Sequence, residues 1–404
     1  MPDKNVLILG GGVAGLSAAL ELARFDISVE LVEKTGFPGG HAIQFSCKAT
    51  DKCVKCGACV AEEKLENVTE NPKIRLMRNT CVEKVTKSDR FSVTFQTGPE
   101  YIDPDKCNGC GVCLEKCPSA GAVMQGFSKH HTPFYAICAE KCLFIKDGSC
   151  NVCQEACPEG AIRLDQKPGD YACEADAIIV ATGFTGFDPK DKPYGYKVFP
   201  NVITNLEAER MLRQQDILLR PSDNKPAERI AFIQCVGSRD ASLNHLWCSK
   251  ICCGSSLRMA RRIKARGPET EITFFYIDVQ TFGSDFQGVY EDIREEFRMI
   301  RAIPGDIFRT DDDRLQMAFL DSNTREPAEE IFDLVVLSAG LTPGKDTEHL
   351  AGLLGAELAD TGFFSSSRDG IFLAGAARGP MSIAESVASA GNAAWETVKY
   401  LSEK

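Results

Sequence analysis

Residues 5–15, Asn-Val-Leu-Ile-Leu-Gly-Gly-Gly-Val-Ala-Gly, run a short apolar segment straight into glycines at positions 10, 12 and 15. Asn5 to Leu9 reads as a buried parallel strand, and Leu16, Ala19, Leu20 and Ala23 fall at helical spacing behind the turn. A second apolar run, Val29 to Val32, ends at Glu33 and Lys34. The unit is βαβ with G-x-G-x-x-G at its first turn, the pattern of a dinucleotide-binding loop. Gly10 permits the tight turn, Gly12 lets the backbone approach a pyrophosphate, and Gly15 brings helix and strand together. Val13 and Ala14 open the helix whose N-terminus favours an anion. Glu33 stands where a carboxylate meets ribose hydroxyls. The glycine motif alone is a weak signal; the strand before it, the helix after it and the acid ending the second strand make it specific.

Two further segments close on small-residue turns. One is Asp176-Ala-Ile-Ile-Val-Ala181-Thr182-Gly183, the other Gly370-Ile-Phe-Leu-Ala-Gly375-Ala376. Behind the latter, Ser382-Ile383 begins a run whose small residues suit a helix packed against a cofactor. The three segments in this order resemble the two-dinucleotide-domain flavoproteins that include thioredoxin reductase and the glutamate synthase small subunit. That resemblance implies FAD in the first loop, covered by the C-terminal strand and helix. The candidate FAD contacts are Gly10, Gly12, Val13, Ala14, Gly15, Glu33, Lys34, Gly40, His41, Ala181, Thr182, Gly183, Gly375, Ala376 and Ile383. Ala376 is a departure, since the family usually carries Asp there. His41, just after Gly39-Gly40, reads equally as a flavin contact or as a structural hydrogen-bonding residue.

Nineteen cysteines in 404 residues fall below the ~8–10 per cent of a disulfide-stapled secreted chain, so their spacing carries the information. Cys107-x2-Cys110-x2-Cys113-x3-Cys117-Pro118 is the bacterial ferredoxin run, in which three thiolates hold one 4Fe-4S cluster and the fourth reaches a second. A zinc ribbon needs only two close pairs and no trailing proline. The second half is irregular: Cys150-x2-Cys153-x3-Cys157-Pro158 has Asp147 where its first cysteine is expected. Cys142 is the preferred substitute, with Cys138 or Asp147 as alternatives. The crossing rule then assigns Cys107, Cys110, Cys113 and Cys157 to one cluster and Cys117, Cys142, Cys150 and Cys153 to the other.

Upstream, Cys47, Cys53, Cys56 and Cys59 suit either a further cluster or a redox-active or zinc-binding loop. The last group, Cys235-x12-Cys248-x3-Cys252-Cys253, begins at the end of a strand-like run, Arg229 to Cys235, where a second dinucleotide domain would carry its own glycines. A cluster ligand in that place argues against NAD(P)H binding. Asp278 reads as a solvated strand end rather than a ribose ligand. Cys81 and Cys173 read as ordinary buried thiols.

Composition bounds the rest. Forty-six basic against 57 acidic side chains give −11, which disfavours a nucleic-acid partner. No stretch approaches the ~18–20 apolar residues of a membrane span, and neither a span nor a signal peptide is expected. The load of oxidisable thiols suggests a reducing, anaerobic cytoplasm. No motif pairs a histidine with a nucleophile, so hydrolytic chemistry has no visible site.

Taken together, the FAD motifs, the two-cluster insertion and the Cys235 to Cys253 group resemble HdrA, the flavin/iron-sulfur subunit of heterodisulfide reductase. The residues that carry this are Phe232-Ile-Gln-Cys-Val-Gly-Ser-Arg-Asp and Gly370-Ile-Phe-Leu-Ala-Gly with Gly379-Pro380. The resemblance spans nearly the whole chain, and its length points to the QmoA branch, from the quinone-interacting membrane-bound oxidoreductase of sulfate reducers. It implies a QmoB-like flavin/iron-sulfur partner, a QmoC-like haem-bearing membrane subunit, peripheral attachment to the inner membrane, and electron flow between menaquinol and adenylylsulfate (APS) reductase. Flavin-based bifurcation is a further implication. The competing readings are an HdrA-type subunit of a soluble heterodisulfide reductase, an NAD(P)H:ferredoxin oxidoreductase and a non-catalytic scaffold.

The expected fold class is α/β: two interleaved Rossmann-like dinucleotide-binding domains, as in thioredoxin reductase, with an inserted two-cluster ferredoxin-like module. The FAD domain is expected over 1–101, 166–192 and 340–404, the ferredoxin-like module over 102–165, and a cluster-bearing nicotinamide-type domain over 193–339. FAD and three 4Fe-4S clusters are expected, with a fourth cluster at Cys47, Cys53, Cys56 and Cys59 left open.

Overall fold

Along the first strand, Asn5–Leu9, the side chains alternate between two different cores. Val6 and Ile8 pack with Leu16, Ala19 and Leu22 of the helix Val13–Arg24, Leu65 and Val68 of the helix Val60–Thr69, and Ala390, Ala394 and Val398 of the helix Ile383–Ser402. Leu7 and Leu9 pack on the other side against Phe91, Val93 and Phe95. Burial on both faces is why this strand is a continuous apolar run, and each such side chain contributes about 1.5–3 kcal/mol. The computed structural model describes residues 4–128, 134–280, 286–322 and 324–404.

The strand lies at the centre of a five-stranded parallel sheet in the order Ile371–Leu373, Ala177–Val180, Asn5–Leu9, Ser28–Val32, Ile74–Met77. Helices cover one face. The other carries a three-stranded antiparallel sheet, Thr80–Lys87, Phe91–Thr97 and Gly169–Ala175.

The same plan recurs in the middle of the chain. A second five-stranded parallel sheet has the order Val202–Thr204, Leu334–Ala339, Arg229–Val236, Glu271–Phe275, Arg298–Ile300. Ile230 and Phe232 face the helices Asn205–Gln215 and Cys252–Arg266. Ala231 and Ile233 face the antiparallel strands Ile307–Arg309, Leu315–Leu320 and Pro327–Phe332. This unit is spliced into the first, and the outgoing and returning segments pair antiparallel at Thr185–Gly186 and Leu341–Thr342.

A further core is enclosed by a loop. Thr97 pairs with Gly169 in the first antiparallel sheet, so the chain leaves and re-enters at one point. Between them a bridge of Ile102 with Ile162 and a hairpin of Val123–Gln125 with Tyr135–Ile137 frame a small core of Tyr101, Ile102, Ala122, Val123, Tyr135, Ile162 and Leu164. Cys113, Cys142 and Cys153 are buried in that core.

Candidate cofactor and cluster sites

The candidate flavin residues converge at the carboxyl ends of the first parallel sheet, where ligands bind in open α/β folds. A Cβ on Gly15 would overlap the Gly10 carbonyl oxygen, so that glycine is demanded by packing within the chain. Gly12 is different: a Cβ there would meet only the Gly40 Cα, at 3.8 Å, which leaves its backbone open to a ligand. The two glycine loops lie side by side, with the Gly39 N–H donating to the Gly11 carbonyl at 2.7 Å and Gly12 bridging to Gly39. Val13 and Ala14 begin the first helix.

Glu33 is buried at the end of its strand. One carboxylate oxygen accepts from the Gly11 N–H at 3.0 Å, the other from the Thr35 N–H and hydroxyl at 2.9 and 2.8 Å. Lys34 turns outward to Asp346 at 3.0 Å. The Ala181 N–H donates to Leu9 at 2.8 Å, and Thr182 and Gly183 follow into the turn. Gly375 is pressed on Ala14 and donates its N–H to the Ser389 hydroxyl at 3.0 Å, with buried Ala376 beside it. Ile383 is the first residue of the last helix, whose start is fixed by a capping box of Ser382 and Glu385.

The inserted module holds two hollows. One is lined by Cys107, Cys110, Cys113 and Cys157 with Tyr135, Ile102 and Ile162. The other is lined by Cys117, Cys142, Cys150 and Cys153 with Val123, Ile137 and Leu143. The short helices Val112–Lys116 and Val152–Ala156 produce the crossover: Cys113 and Cys153 sit within them, while Cys117 and Cys157 follow their ends and line the opposite hollows.

Cys142 is the N-cap of the helix Leu143–Asp147 and faces its hollow. Cys138 contributes its carbonyl to the Cys142 N–H at 3.0 Å, and Asp147 is turned to the Ser149 N–H at 2.9 Å. Burial and neighbouring thiols push Cys113 and Cys153 up to about 11, so any cation they bind must expel their protons.

Cys235, Cys248, Cys252 and Cys253 also come together. Burial first, and then the other cysteines of the set, raise Cys235 to about 11 and Cys252 further still. Cys235 takes a left-handed φ of 62° within the register slip between Ile233 and Val236, after which Val236 pairs with Ala339 and the long loop begins. Cys252 and Cys253 are the first residues of the helix Cys252–Arg266, and both are buried.

Asp278 lies three residues past the strand Glu271–Phe275 with its side chain 39% exposed, and it is engaged there in an ion pair. Arg239 clasps it with both guanidinium nitrogens and, with Gln280, holds its carboxyl below the usual range. Sequence spacing carries no hint of this because the partners are 39 residues apart.

Cys47, Cys53 and Cys59 are exposed and Cys56 is half-buried. Their loop is held by two helices: Gly57 packs on Ile383 at the start of one, and Arg262, near the C-terminal end of Cys252–Arg266, donates to the Cys47 carbonyl. Next to it is a group invisible to sequence reasoning. Lys48 Nζ approaches the Glu209 carboxylate at 2.5 and 2.6 Å, and both side chains are buried. Ser46 and Ser255 complete the shell of Glu209. Cys173 is buried, but Cys81 is exposed: on its strand Thr80 points inward and the next side chain must point out. Among the described residues no three His, Cys, Asp or Glu side chains are set to grip a single metal ion. No helix of the described residues is long and apolar enough to cross a membrane.

Comparison with known proteins agrees with this architecture. The chain is 37% identical over 423 residues to the HdrA-type iron-sulfur subunit of the CoB--CoM heterodisulfide reductase of Methanocaldococcus jannaschii, covering 97% of this chain and 63% of that protein. It is 34% identical to the corresponding subunit of the H(2):CoB-CoM heterodisulfide,ferredoxin reductase of Methanothermobacter thermautotrophicus, with the same coverages. The corresponding subunit of a Methanosarcina acetivorans ferredoxin/F(420)H(2)-dependent CoB-CoM heterodisulfide reductase is also 34% identical, over 99% of this chain and 53% of its own. The chain thus spans a little under two thirds of the curated relatives it matches, or about half in the last case.

Among solved structures, thioredoxin reductases of T. acidophilum and Lactococcus lactis each superpose with a TM-score of 0.55 at 14% and 16% identity, over 99% and 100% of both chains, which shows the shared fold. Residues 4–218 match the family model described as pyridine nucleotide-disulphide oxidoreductase. With two parallel dinucleotide-type sheets, one spliced into the other, the chain belongs to the pyridine nucleotide-disulphide oxidoreductase family.

Proposed function

We propose that this chain is a flavin- and iron-sulfur-bearing electron-transfer subunit of the HdrA type. The observation that carries the reading is the sorting of eight cysteines of the inserted module into two hollows, four to each. The thiols of one 4Fe-4S cluster stand farther apart than the ligands of one ion, which is what a hollow lined on several sides provides. Cys235, Cys248, Cys252 and Cys253 would hold a third cluster. FAD fits the first sheet, where Gly12 leaves an open backbone and Glu33 is fixed by Gly11 and Thr35. When bound, FAD supplies exchange between paired and single electrons. The chain's own residues hold that group, exclude water from it and keep the thiol sets in one rigid frame.

The finer form of the proposal places the chain in the QmoA branch, docked to QmoB-like and QmoC-like subunits at the membrane and exchanging electrons between menaquinol and adenylylsulfate reductase. It rests on the resemblance of motifs. The names of the relatives support a heterodisulfide reductase complex as the setting.

Anaerobic iron, sulfide and flavin quantitation on the wild type and Cys252→Ala, with spectra before and after NADH, tests the reading. One flavin per chain, a loss of about four irons in the variant and no bleaching by NADH are expected. Unchanged iron with NADH bleaching would overturn the cluster in the second domain and restore a nicotinamide site there. Reduction of the assembled complex by a menaquinol analogue, with transfer to adenylylsulfate reductase, tests the finer form. Transfer to a heterodisulfide instead would overturn it.

A further inference from the structure

His41 follows the glycine loop that touches Gly12, and its ring lies on Phe184 with centroids 4.6 Å apart and planes 30° from parallel. Phe184 comes directly after Gly183, so the imidazole is held between two loops of the candidate flavin site. Nε2 is 3.0 Å from the Phe184 carbonyl oxygen. A carbonyl only accepts, so Nε2 carries the hydrogen. Burial, and then the positive charges of Arg210 and Lys34, outweigh that hydrogen bond and lower the ring's proton affinity, so it is neutral with a bare lone pair on Nδ1. Nδ1 is shielded from solvent and has no hydrogen-bond partner among the described residues. An unpaired buried acceptor is costly, and such a group beside a ligand site points to a partner supplied by the ligand.

We propose that His41 Nδ1 accepts a hydrogen bond from an N–H or O–H on the flavin half of bound FAD, making it a cofactor-orienting residue whose tautomer Phe184 fixes. This deepens, and rests on, the assignment of FAD to the first sheet. Neutral Nδ1 cannot donate, which excludes phosphate oxygens and ring carbonyls and leaves the ribityl hydroxyls, ring N3–H and, after reduction, N5–H as donors.

Two isosteric variants separate this role from a structural one. In His41→Asn the amide oxygen takes the place of Nδ1 while the bond to Phe184 is lost. In His41→Gln the amide N–H takes the place of Nε2 and keeps Phe184, while the Nδ1 acceptor is lost. FAD affinity is measured on oxidised and dithionite-reduced protein, with bound iron as the check on folding. Asn within about twofold of wild type and Gln about three- to tenfold weaker is the expected order.

The reverse order, or wild-type affinity in both, would mean that His41 only braces Phe184 and would overturn the proposal. A loss in Gln equal in both redox states assigns the donor to the ribityl chain or N3–H. A loss confined to the reduced state, with a lowered flavin potential, assigns it to N5–H. A wild-type chain that takes up no FAD would overturn the FAD assignment along with this one, whereas normal uptake with the reversed order overturns this one alone.

Discussion

Breaking the Lys48–Glu209 pair in Glu209→Gln or Lys48→Met should be among the most destabilising single changes in this chain. The pair is enclosed, with side-chain exposures of 4% and 2%, and ties the loop that carries Cys47 to the helix Asn205–Gln215 of the second domain. At the observed 2.5 Å, with an effective dielectric of ~20, the gross attraction is about 6–7 kcal/mol. Desolvating two ions costs several kcal/mol each, so the intact pair contributes little net stability over neutral groups of the same shape. Removing one partner leaves the other as an uncompensated buried charge, which costs about 3–5 kcal/mol.

The double variant Lys48→Met/Glu209→Gln should recover most of that, because the Gln oxygen still accepts from the Ser46 N–H and hydroxyl while its amide N–H donates to the Ser255 hydroxyl oxygen. Anaerobic urea unfolding in a Trp395→Phe background isolates Trp247, whose indole N–H donates to the Leu341 carbonyl at 3.0 Å and so reports the second domain. Single-variant losses of about 3 kcal/mol or more with a double variant within ~2 kcal/mol of the reference are expected. Singles that each cost under about 1 kcal/mol and simply add would refute the buried pair, since that is the behaviour of solvated surface charges.

Gly12→Ala should leave unfolding unchanged and weaken FAD retention, because its Cβ meets no chain atom nearer than 3.8 Å, whereas Gly15→Ala should unfold the first domain by striking the Gly10 carbonyl; differential scanning fluorimetry beside flavin release separates them. Cys142→Ser should lose about four irons and Cys138→Ser none, as read by iron analysis, because Cys142 alone of the two lines the hollow. Asp240 is held below the usual carboxylate range first by its hydrogen bond from Lys192 and then by Ser242. It therefore contributes stability above about pH 4 that is lost as pH falls through its lowered folded value, so Asp240→Asn should cost about 0.5–1 kcal/mol at neutral pH and converge with the wild type in acid, measured by urea midpoints against pH.

The first sheet was legible because Asn5–Leu9 is apolar on both faces and is punctuated by glycines that have one structural meaning each. The sorting of the cysteines was legible for a similar reason: a three-residue gap that runs to the end of a short helix carries Cys117 and Cys157 away from the hollow of Cys113 and Cys153 respectively, and spacing encodes that directly. What spacing could not convey were contacts made by the splice. Lys48 and Glu209 are 161 residues apart and neither stands in a motif. Asp278 looks like any strand-end acid until Arg239 is folded onto it. Cys81 was misread because a lone cysteine is buried more often than not, and that average yields to the strict alternation of its strand.

On the proposed reading, the second domain changes its ligand while keeping the physics of the scaffold. In the first domain the chain passes from strand to helix through the glycine turn between Leu9 and Val13. In the second, the strand ends at Val236 and the helix begins only at Cys252. The added loop lets Cys248 return toward Cys235, and both then face Cys252 and Cys253 at the helix N-terminus. That terminus attracts negative charge whichever group brings it, a pyrophosphate or a set of thiolates around a cluster. The acid that would hold a ribose, Asp278, is committed to Arg239 instead. Replacing Cys235 with glycine would therefore not restore a nicotinamide site, because the loop length, the buried cysteines and the neutralised acid each oppose it independently.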